Sequence, residues 1–364
     1  MNDYDLIVLG TGGMGSASLY SAAARGLRCL GLDRFPPAHD RGSSHGESRL
    51  IRLSYFEHPD YVPLLRRSYE LWDALDPALL HRSGLIYFGQ ENGAIIGGVL
   101  ASANKHDLEV ERVKAEMFPQ YQFVDGLQAV FEPDAGWLPV ERCVQMHLDA
   151  ATSAGAEYRW GEAVLSWEKY ADGIRVRTES NSYSARALVI ASGPWAGDLL
   201  PDLALPLTVV RKHLHWFACD DDRYQHGFFY ELPHGQFYGF PVSGGRIKIA
   251  KHTGGESVED PLSACRDRCP EDDRRIAEFV AEFLPGVHQE RLAHQTCFYT
   301  RTPDEHFVLD RHPQADNVAI VAGLSGHGFK FAPAIGEVLV DLATTSATPD
   351  EVSFLSLQRF RDTG

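Results

Sequence analysis

A glycine-rich turn near the N-terminus, set between a buried strand and a helix, restricts the fold of this chain more than any other feature. Asp5-Leu6-Ile7-Val8-Leu9 is an almost unbroken apolar run, the pattern of a strand buried on both faces. Gly10-Thr11-Gly12-Gly13-Met14-Gly15 follows, then an Ala-rich helical segment from Ser16 to Arg25. A second strand from Leu27 to Leu32 ends in Asp33. Strand, G-x-G-x-x-G, helix and strand, with an acid about 20 residues on, is a dinucleotide-binding start. Gly10 permits the tight turn, Gly12 lets a pyrophosphate approach the backbone, and Gly15 lets helix and strand pack closely. The helix N-terminus then presents unpaired N–H groups to the phosphates. Asp33 can accept hydrogen bonds from a ribose diol. Arg34 beside it would suit a 2′-phosphate, which Asp33 would repel.

The same βα logic recurs downstream. Ala187-Leu188-Val189-Ile190-Ala191 and Val318-Ala319-Ile320-Val321-Ala322 are further buried strands. The first is preceded by short alternating segments (163–169 and 174–178) around a turn at Ala171-Asp172-Gly173, a meander feeding back into a parallel sheet. Helices are expected over 61–75, 140–153 and 273–284, and from Pro333 on. Between about 205 and 300 the chain turns to aromatic-rich strands. A hairpin is expected from Gln236–Pro241 and Arg246–His252 around Val242-Ser243-Gly244-Gly245. The expected fold is α/β: a discontinuous Rossmann-like dinucleotide domain (1–82, 145–212, 300–364) with an inserted antiparallel-sheet substrate domain (83–144, 213–299).

Charge narrows the partners. The 364 residues carry 34 Lys+Arg against 50 Asp+Glu, a formal net charge of −16. Such a chain is a poor electrostatic match for nucleic acid or an anionic membrane, so an anionic ligand needs a local cationic pocket. Nothing approaches 18 uninterrupted apolar residues, so no membrane span is expected. Acids stand where a signal peptide would be basic, and six cysteines make no disulfide framework. A reducing cytoplasm is the expected compartment. Cys265 and Cys269, four apart on an expected helix, have no second Cys or His pair at metal spacing, so no metal is expected.

Several residues could carry chemistry. Arg49 and Arg52, three apart after the second strand, share a face if that stretch is a helical turn. They then suit a carboxylate or an electron-rich ring, or are merely a basic surface turn. In Arg246-Ile247-Lys248-Ile249-Ala250-Lys251-His252, alternation puts Lys248 and His252 on one face. On a central strand Lys248 would be a desolvated cation; on an edge strand its head would reach water. Cys297 shares a face with Tyr299 and by itself reads as a small core residue. Gly323-Leu324-Ser325-Gly326-His327 fails as a nucleophile elbow, because the fifth position is His. Between a buried strand and a helix it reads as a second backbone cradle, with Lys330 as a cation beside it.

Together these motifs resemble the monomeric sarcosine oxidase and N-methyltryptophan oxidase family of flavin amine oxidases, over nearly the whole chain from Asp5 to Glu337. The resemblance rests on Gly10 to Gly15, Ser43-Ser44-His45-Gly46 with Arg49 and Arg52, Lys248 with His252, and Thr296-Cys297-Phe298-Tyr299. Thr302-Pro303-Asp304-Glu305-His306-Phe307 and Ser325-Gly326-His327-Gly328-Phe329-Lys330-Phe331 complete it. Ser48 departs from the family's threonine but keeps a hydroxyl.

The resemblance implies an FAD cofactor attached covalently through Cys297 and held by Gly10, Gly12, Gly13, Met14, Gly15, Asp33, Ser43, Ser44, Arg49, Gly326, Gly328 and Lys330. It implies His45 and Arg49 beside the flavin ring, Lys248 promoting oxygen reduction, Arg52 and Lys330 gripping a substrate carboxylate, and Tyr238, His252, Tyr299 and His327 around the substrate. The implied reaction is oxidative demethylation of an N-methyl amino acid to the free amino acid, formaldehyde and hydrogen peroxide, by a monomer whose partners are a secondary amino acid and oxygen. The 247–255 stretch and Leu324-Ser325-Gly326 lean toward the N-methyltryptophan branch. Two other readings stand: an amine oxidase or dehydrogenase acting on a cyclic imino acid such as pipecolate, and a non-catalytic flavin-binding redox protein.

Overall fold

The computed structural model describes residues 3–345 and 349–360. Its first sheet has the strand order Val308–His312, Ala315–Ala322, Ser182–Ile190, Tyr4–Leu9, Cys29–Asp33, Glu157–Trp160. Tyr4–Leu9 runs parallel to both its neighbours, and Ser182–Ile190 runs parallel to Ala315–Ala322. The meander Val164–Tyr170, Gly173–Thr178 joins Ser182–Ile190 antiparallel. Strand alternation sorts the core. Leu6 and Val8 pack with the helices Gly13–Ala24, Val140–Ser153 and Ala332–Thr344, whereas Ile7 and Leu9 pack with Ile174 and Val176 of the meander.

Close approach explains the glycines of the first turn. A Cβ on Gly15 would stand 1.7 Å from the Gly10 carbonyl oxygen, and Gly10 itself has φ +81°. Farther along, a Cβ on Gly336 would meet the backbone carbon and Cβ of Ala17 at 2.8 and 2.9 Å, where two helices touch. Gly336→Ala is therefore expected to destabilise by about 1–3 kcal/mol through overpacking. Urea unfolding should show a lower midpoint at unchanged slope; an unmoved midpoint would mean the helices separate without cost.

Among the described residues the second sheet has nine strands, including Thr208–Cys219, Gly227–Leu232, Gly235–Gly239, Arg246–Lys251 and Val287–Arg301. One face, with Ile247 and Ile249, is covered by the helix Pro270–Phe283. The opposite face presents Tyr238, Ala250, Cys297 and Tyr299. The expected hairpin is present, and Arg246–Lys251 lies between two strands. Lys248 is thus buried on a central strand, and the edge-strand alternative is excluded.

Two local expectations are corrected. Arg49 and Arg52 do not share a helical turn: Ser48–Ile51 is a strand paired antiparallel with Gly136–Pro139, a long-range partner that local spacing does not reveal. Cys265 and Cys269 are not on a helix either. The helix starts at Pro270, a residue suited to a first helical position, which leaves both cysteines in the irregular stretch before it. The expected cut after residue 144 falls inside Val140–Ser153, and those after 212 and 299 fall inside Thr208–Cys219 and Val287–Arg301. We propose the same two-unit division with each edge moved to an element end. Among the described residues no helix is long and apolar enough to cross a membrane.

Candidate active site

A continuous cavity runs from the glycine turn to Lys330. At one end its wall includes Gly10, Gly12, Gly13, Met14, Asp33, Ser43 and Ser44; at the other, Arg49, Arg52, Tyr238, His252, Tyr299, Gly326, His327, Gly328 and Lys330. Gly15, His45, Lys248 and Cys297 lie behind this wall rather than on it.

The nucleotide end is pre-shaped. Thr11 donates to Asp33 Oδ2 from its backbone N at 2.7 Å and its hydroxyl at 3.0 Å, and Phe35 N donates to Oδ1 at 2.9 Å. These bonds fix the carboxylate and leave lone pairs for a ribose. Gly13 N donates to Ser44 Oγ at 3.1 Å. Only Ser44 Oγ, at 3.7 Å, lies within 4 Å of where a Cβ of Gly12 would stand, so the backbone there is open to a phosphate. Ser192 and Trp195 also line this end, and Ser192 Oγ and Trp195 Nε1 are buried without a partner among the described residues. Sequence reasoning passed over both residues; their signal was only the Ser-Gly-Pro-Trp run after a buried strand.

The other end concentrates charge. Arg52 is buried, and its Nη2 donates to both Glu57 oxygens at 2.7 and 2.9 Å. The guanidinium carbon sits 4.2 Å from the ring centroids of both Tyr55 and Phe56, and Nη1 has no partner among the described residues. Burial alone would raise the Glu57 pKa, but Arg52 overrides it and holds the carboxyl at about 2. Glu57 was not anticipated from the sequence, where nothing marks it beyond lying five residues after Arg52. Lys330 Nζ donates to the His327 carbonyl at 2.6 Å and lies 5.2 Å from the Tyr55 ring centroid. Burial, then Arg52, pushes its pKa well down.

The histidines differ in kind. His327 Nε2 faces the Glu305 carbonyl at 2.9 Å, so it carries the proton, and Nδ1 then accepts from the Tyr55 hydroxyl. With both nitrogens committed and burial pushing its pKa to about 4, the ring is a fixed spacer. His252 instead stands in an aromatic box, its ring centroid 5.7, 6.2 and 5.6 Å from those of Phe229, Tyr238 and Tyr299. Burial and the nearby Lys212 keep it neutral. Gly326, at φ +86°, lets its loop lie on Tyr299, whose ring a Cβ would meet at 2.3 Å.

Behind the wall, Lys248 Nζ donates to the carbonyls of Gly46 and Ser48, the latter at 2.7 Å, and lies 4.4 Å from the Phe240 ring centroid. Burial, then Arg49, lowers its pKa strongly. Arg49 donates to the Ser48 and Ser43 carbonyls at 2.9 and 2.8 Å. Glu141 accepts from Gly46 N at 2.6 Å and Glu47 N at 3.1 Å, so the 43–48 loop is pinned from several sides. His45 is buried beside Arg49 and Gln295; burial and then Arg49 push its pKa to about 3. Cys297 is buried and registers across from Lys212. Lys212 Nζ donates to the Thr253 and Gly254 carbonyls at 2.8 and 3.2 Å, and burial lowers its pKa to about 7. Lys212 too was missed in the sequence, where it reads as one polar residue in an alternating strand.

A family model described as FAD dependent oxidoreductase matches residues 5–342. The chain is 37% identical over 374 residues to monomeric sarcosine oxidase of Bacillus sp. (strain NS-129), covering 98% of this chain and 97% of that protein. It is 39% identical over 374 residues to N-methyl-L-tryptophan oxidase of Yersinia pestis (strain Pestoides F), covering 99% of this chain and 100% of that protein. Among solved structures, NikD, described as an unusual amino acid oxidase essential for nikkomycin biosynthesis, superposes with a TM-score of 0.86 at 26% identity, covering 98% of each chain. Glycine oxidase from Geobacillus kaustophilus, at 22% identity and a TM-score of 0.83 over 99% of both chains, shares the fold.

Proposed function

Because the chain belongs to the FAD-dependent oxidoreductase family, we propose that it removes the N-methyl group of a secondary amino acid oxidatively, yielding the free amino acid, formaldehyde and hydrogen peroxide. One observation carries the reading: a single cavity joins the dinucleotide cradle to two buried cations, Arg52 and Lys330. The acidic whole offers an anion little else, and these cations supply the local positive charge.

The residues present fit FAD. The open backbone at Gly12, the oriented Asp33 and the unpartnered Ser192 and Trp195 donors suit its nucleotide half, with Met14, Ser43 and Ser44 beside them. Gly326, Gly328 and Arg49 would flank the ring half, with His45 in the layer behind them. When bound, the cofactor supplies two-electron oxidation of the substrate C–N bond and passes the electrons to oxygen.

The protein's part is to bind, orient and tune. Arg52 Nη1 and Lys330 hold the substrate carboxylate in charge-assisted bonds, and the arriving carboxylate favours the protonated lysine against the lowering by burial and Arg52. Their charge lowers the pKa of the substrate ammonium and so favours the neutral amine, whose lone pair the oxidation needs. Tyr238, His252 and Tyr299 enclose the N-methyl end, and neutral His252 adds no competing charge there. His327 keeps Tyr55 and the Lys330 loop in place. Water then hydrolyses the substrate iminium to formaldehyde and the free amino acid.

An anaerobic screen tests this reading. N-methyltryptophan or sarcosine should bleach the flavin absorbance. Bleaching by pipecolate alone would replace the substrate class, and no bleaching by any amine would leave a redox-binding protein.

The reading includes a thioether between Cys297 and the flavin, supported by the cysteine's burial across from Lys212 on the adjoining strand and by the resemblance of Thr296-Cys297-Phe298-Tyr299. Acid precipitation should leave flavin in the wild-type pellet and release it from Cys297→Ala. Equal release from both removes Cys297 from the cofactor's attachment.

A further inference from the structure

On the face of the second sheet away from the cavity, three side chains of different chemistry converge. His213 comes from Thr208–Cys219, Glu256 from the short strand Glu256–Ser257, and Cys269 caps the helix Pro270–Phe283. One donor atom from each lies within 4.8 Å of the others. His213 is buried, Cys269 half-buried and Glu256 exposed. We propose that His213 Nε2, Cys269 Sγ and Glu256 bind one zinc-class divalent cation, with water as the fourth ligand.

A mixed sulfur, nitrogen and carboxylate set at this separation suits a tetrahedral, borderline-soft ion such as zinc better than magnesium or calcium. The surroundings orient the ligands. His213 Nδ1 lies 2.9 Å from His294 Nε2, and a proton on Nδ1 in that bond leaves the Nε2 lone pair facing Glu256. Outer partners of this kind are how ligating histidines are fixed. Nε2 then stands 3.5 Å from Glu256 Oε2: two acceptors that need a proton or a cation between them. Arg211 Nε, at 2.9 Å, and Nη2 both donate to that same Oε2, and its Nη1 donates to the Cys265 carbonyl. Rotating the carboxylate gives Arg211 one oxygen and the cation the other, so the guanidinium becomes an outer-shell partner. The neighbouring acids are otherwise engaged, Asp272 with His215 at 2.8 Å and Asp273 with Arg291 at 2.7 Å. On binding, the Cys269 thiol gives its proton to solvent.

The site would tie the irregular stretch 258–269 to the strand that carries Lys212 on its other face. Sequence spacing hides it, because the ligands stand at 213, 256 and 269 with no repeated interval. It lies outside the cavity and does not depend on the reaction proposed above.

Tag-free protein, with whatever flavin it carries, is titrated with zinc and freed of excess by gel filtration, and metal per chain is counted. Cobalt is used in parallel for its near-ultraviolet thiolate charge-transfer band. The expected result is one metal per chain, a cobalt–thiolate band in the wild type and a higher unfolding temperature with zinc. Cys269→Ser should abolish the band and weaken binding at least tenfold, and Glu256→Gln, at an exposed position, should weaken binding without touching the fold. No stoichiometric metal at micromolar zinc overturns the proposal, as does metal retained equally by both variants.

Discussion

Lys248→Met is expected to slow reoxidation of the reduced flavin by oxygen by about 10²–10³-fold, the cost of removing one preorganised electrostatic group, while anaerobic reduction by amine changes only several-fold. Burial works against the charge of Lys248, but Nζ faces three acceptors, the Gly46 and Ser48 carbonyls and the Ser48 hydroxyl, which match the three donors of an ammonium, and it lies against Phe240. In that low-dielectric setting its charge acts strongly on negative charge developing nearby, as when oxygen takes its first electron. Amine oxidation builds positive charge on the substrate and gains nothing from a cation there. Met has similar length and no charge, so it separates electrostatics from bulk. Glu141 still holds Gly46 and Glu47 by their N–H groups, so the loop has support without Lys248. Stopped-flow measurement of the two half-reactions, normalised to bound flavin, decides it. Equal slowing of both would make Lys248 a loop brace and nothing more.

How far the sequence reached depends on how local each cause is. Gly10 to Gly15 were legible because a turn, a phosphate approach and a helix contact all act within one short segment. Lys248 and His252 could be placed on one face because strand alternation has a strict period of two. The helical-turn alternative for Arg49 and Arg52 fails because Ser48–Ile51, which carries Arg49 and ends just before Arg52, becomes a strand only by pairing with Gly136–Pro139, far along the chain. Glu57 was invisible as a partner of Arg52, since nothing in spacing says which acid a buried arginine takes. The bonds to Glu305 and Tyr55 that fix His327, and the placement of Lys248 and Cys297 behind the cavity wall, likewise belong to packing. Residue chemistry was readable; which atoms are free to act was not.

Arg52 allows stability and function to be separated. Arg52→Met is expected to destabilise by about 3 kcal/mol, the low end for breaking a buried ion pair by removing one partner, because Glu57, only 15% exposed, is left without its counter-charge. The pH signature has a definite sign. In the wild type the Glu57 pKa is held at about 2, below its ordinary value of 4.5. Its contribution is therefore present above pH 4.5 and is lost as pH falls through about 2. Without Arg52, burial dominates and the pKa rises, so the variant should lose stability as pH increases through the raised value. Adding Glu57→Gln removes the stranded charge, and the double variant should recover much of the stability and lose that pH dependence. It should not recover turnover. The substrate carboxylate still lacks its guanidinium, and losing hydrogen bonds to a charged group costs about 1.5–3 kcal/mol. That corresponds to roughly 10–100-fold in kcat/KM at 1.4 kcal/mol per tenfold, and it should appear in both variants. Urea unfolding across pH reads the first effect and steady-state kinetics with an N-methyl amino acid reads the second. A double variant that regains wild-type kcat/KM would show that Arg52 serves only to neutralise Glu57, and the substrate carboxylate would need another anchor.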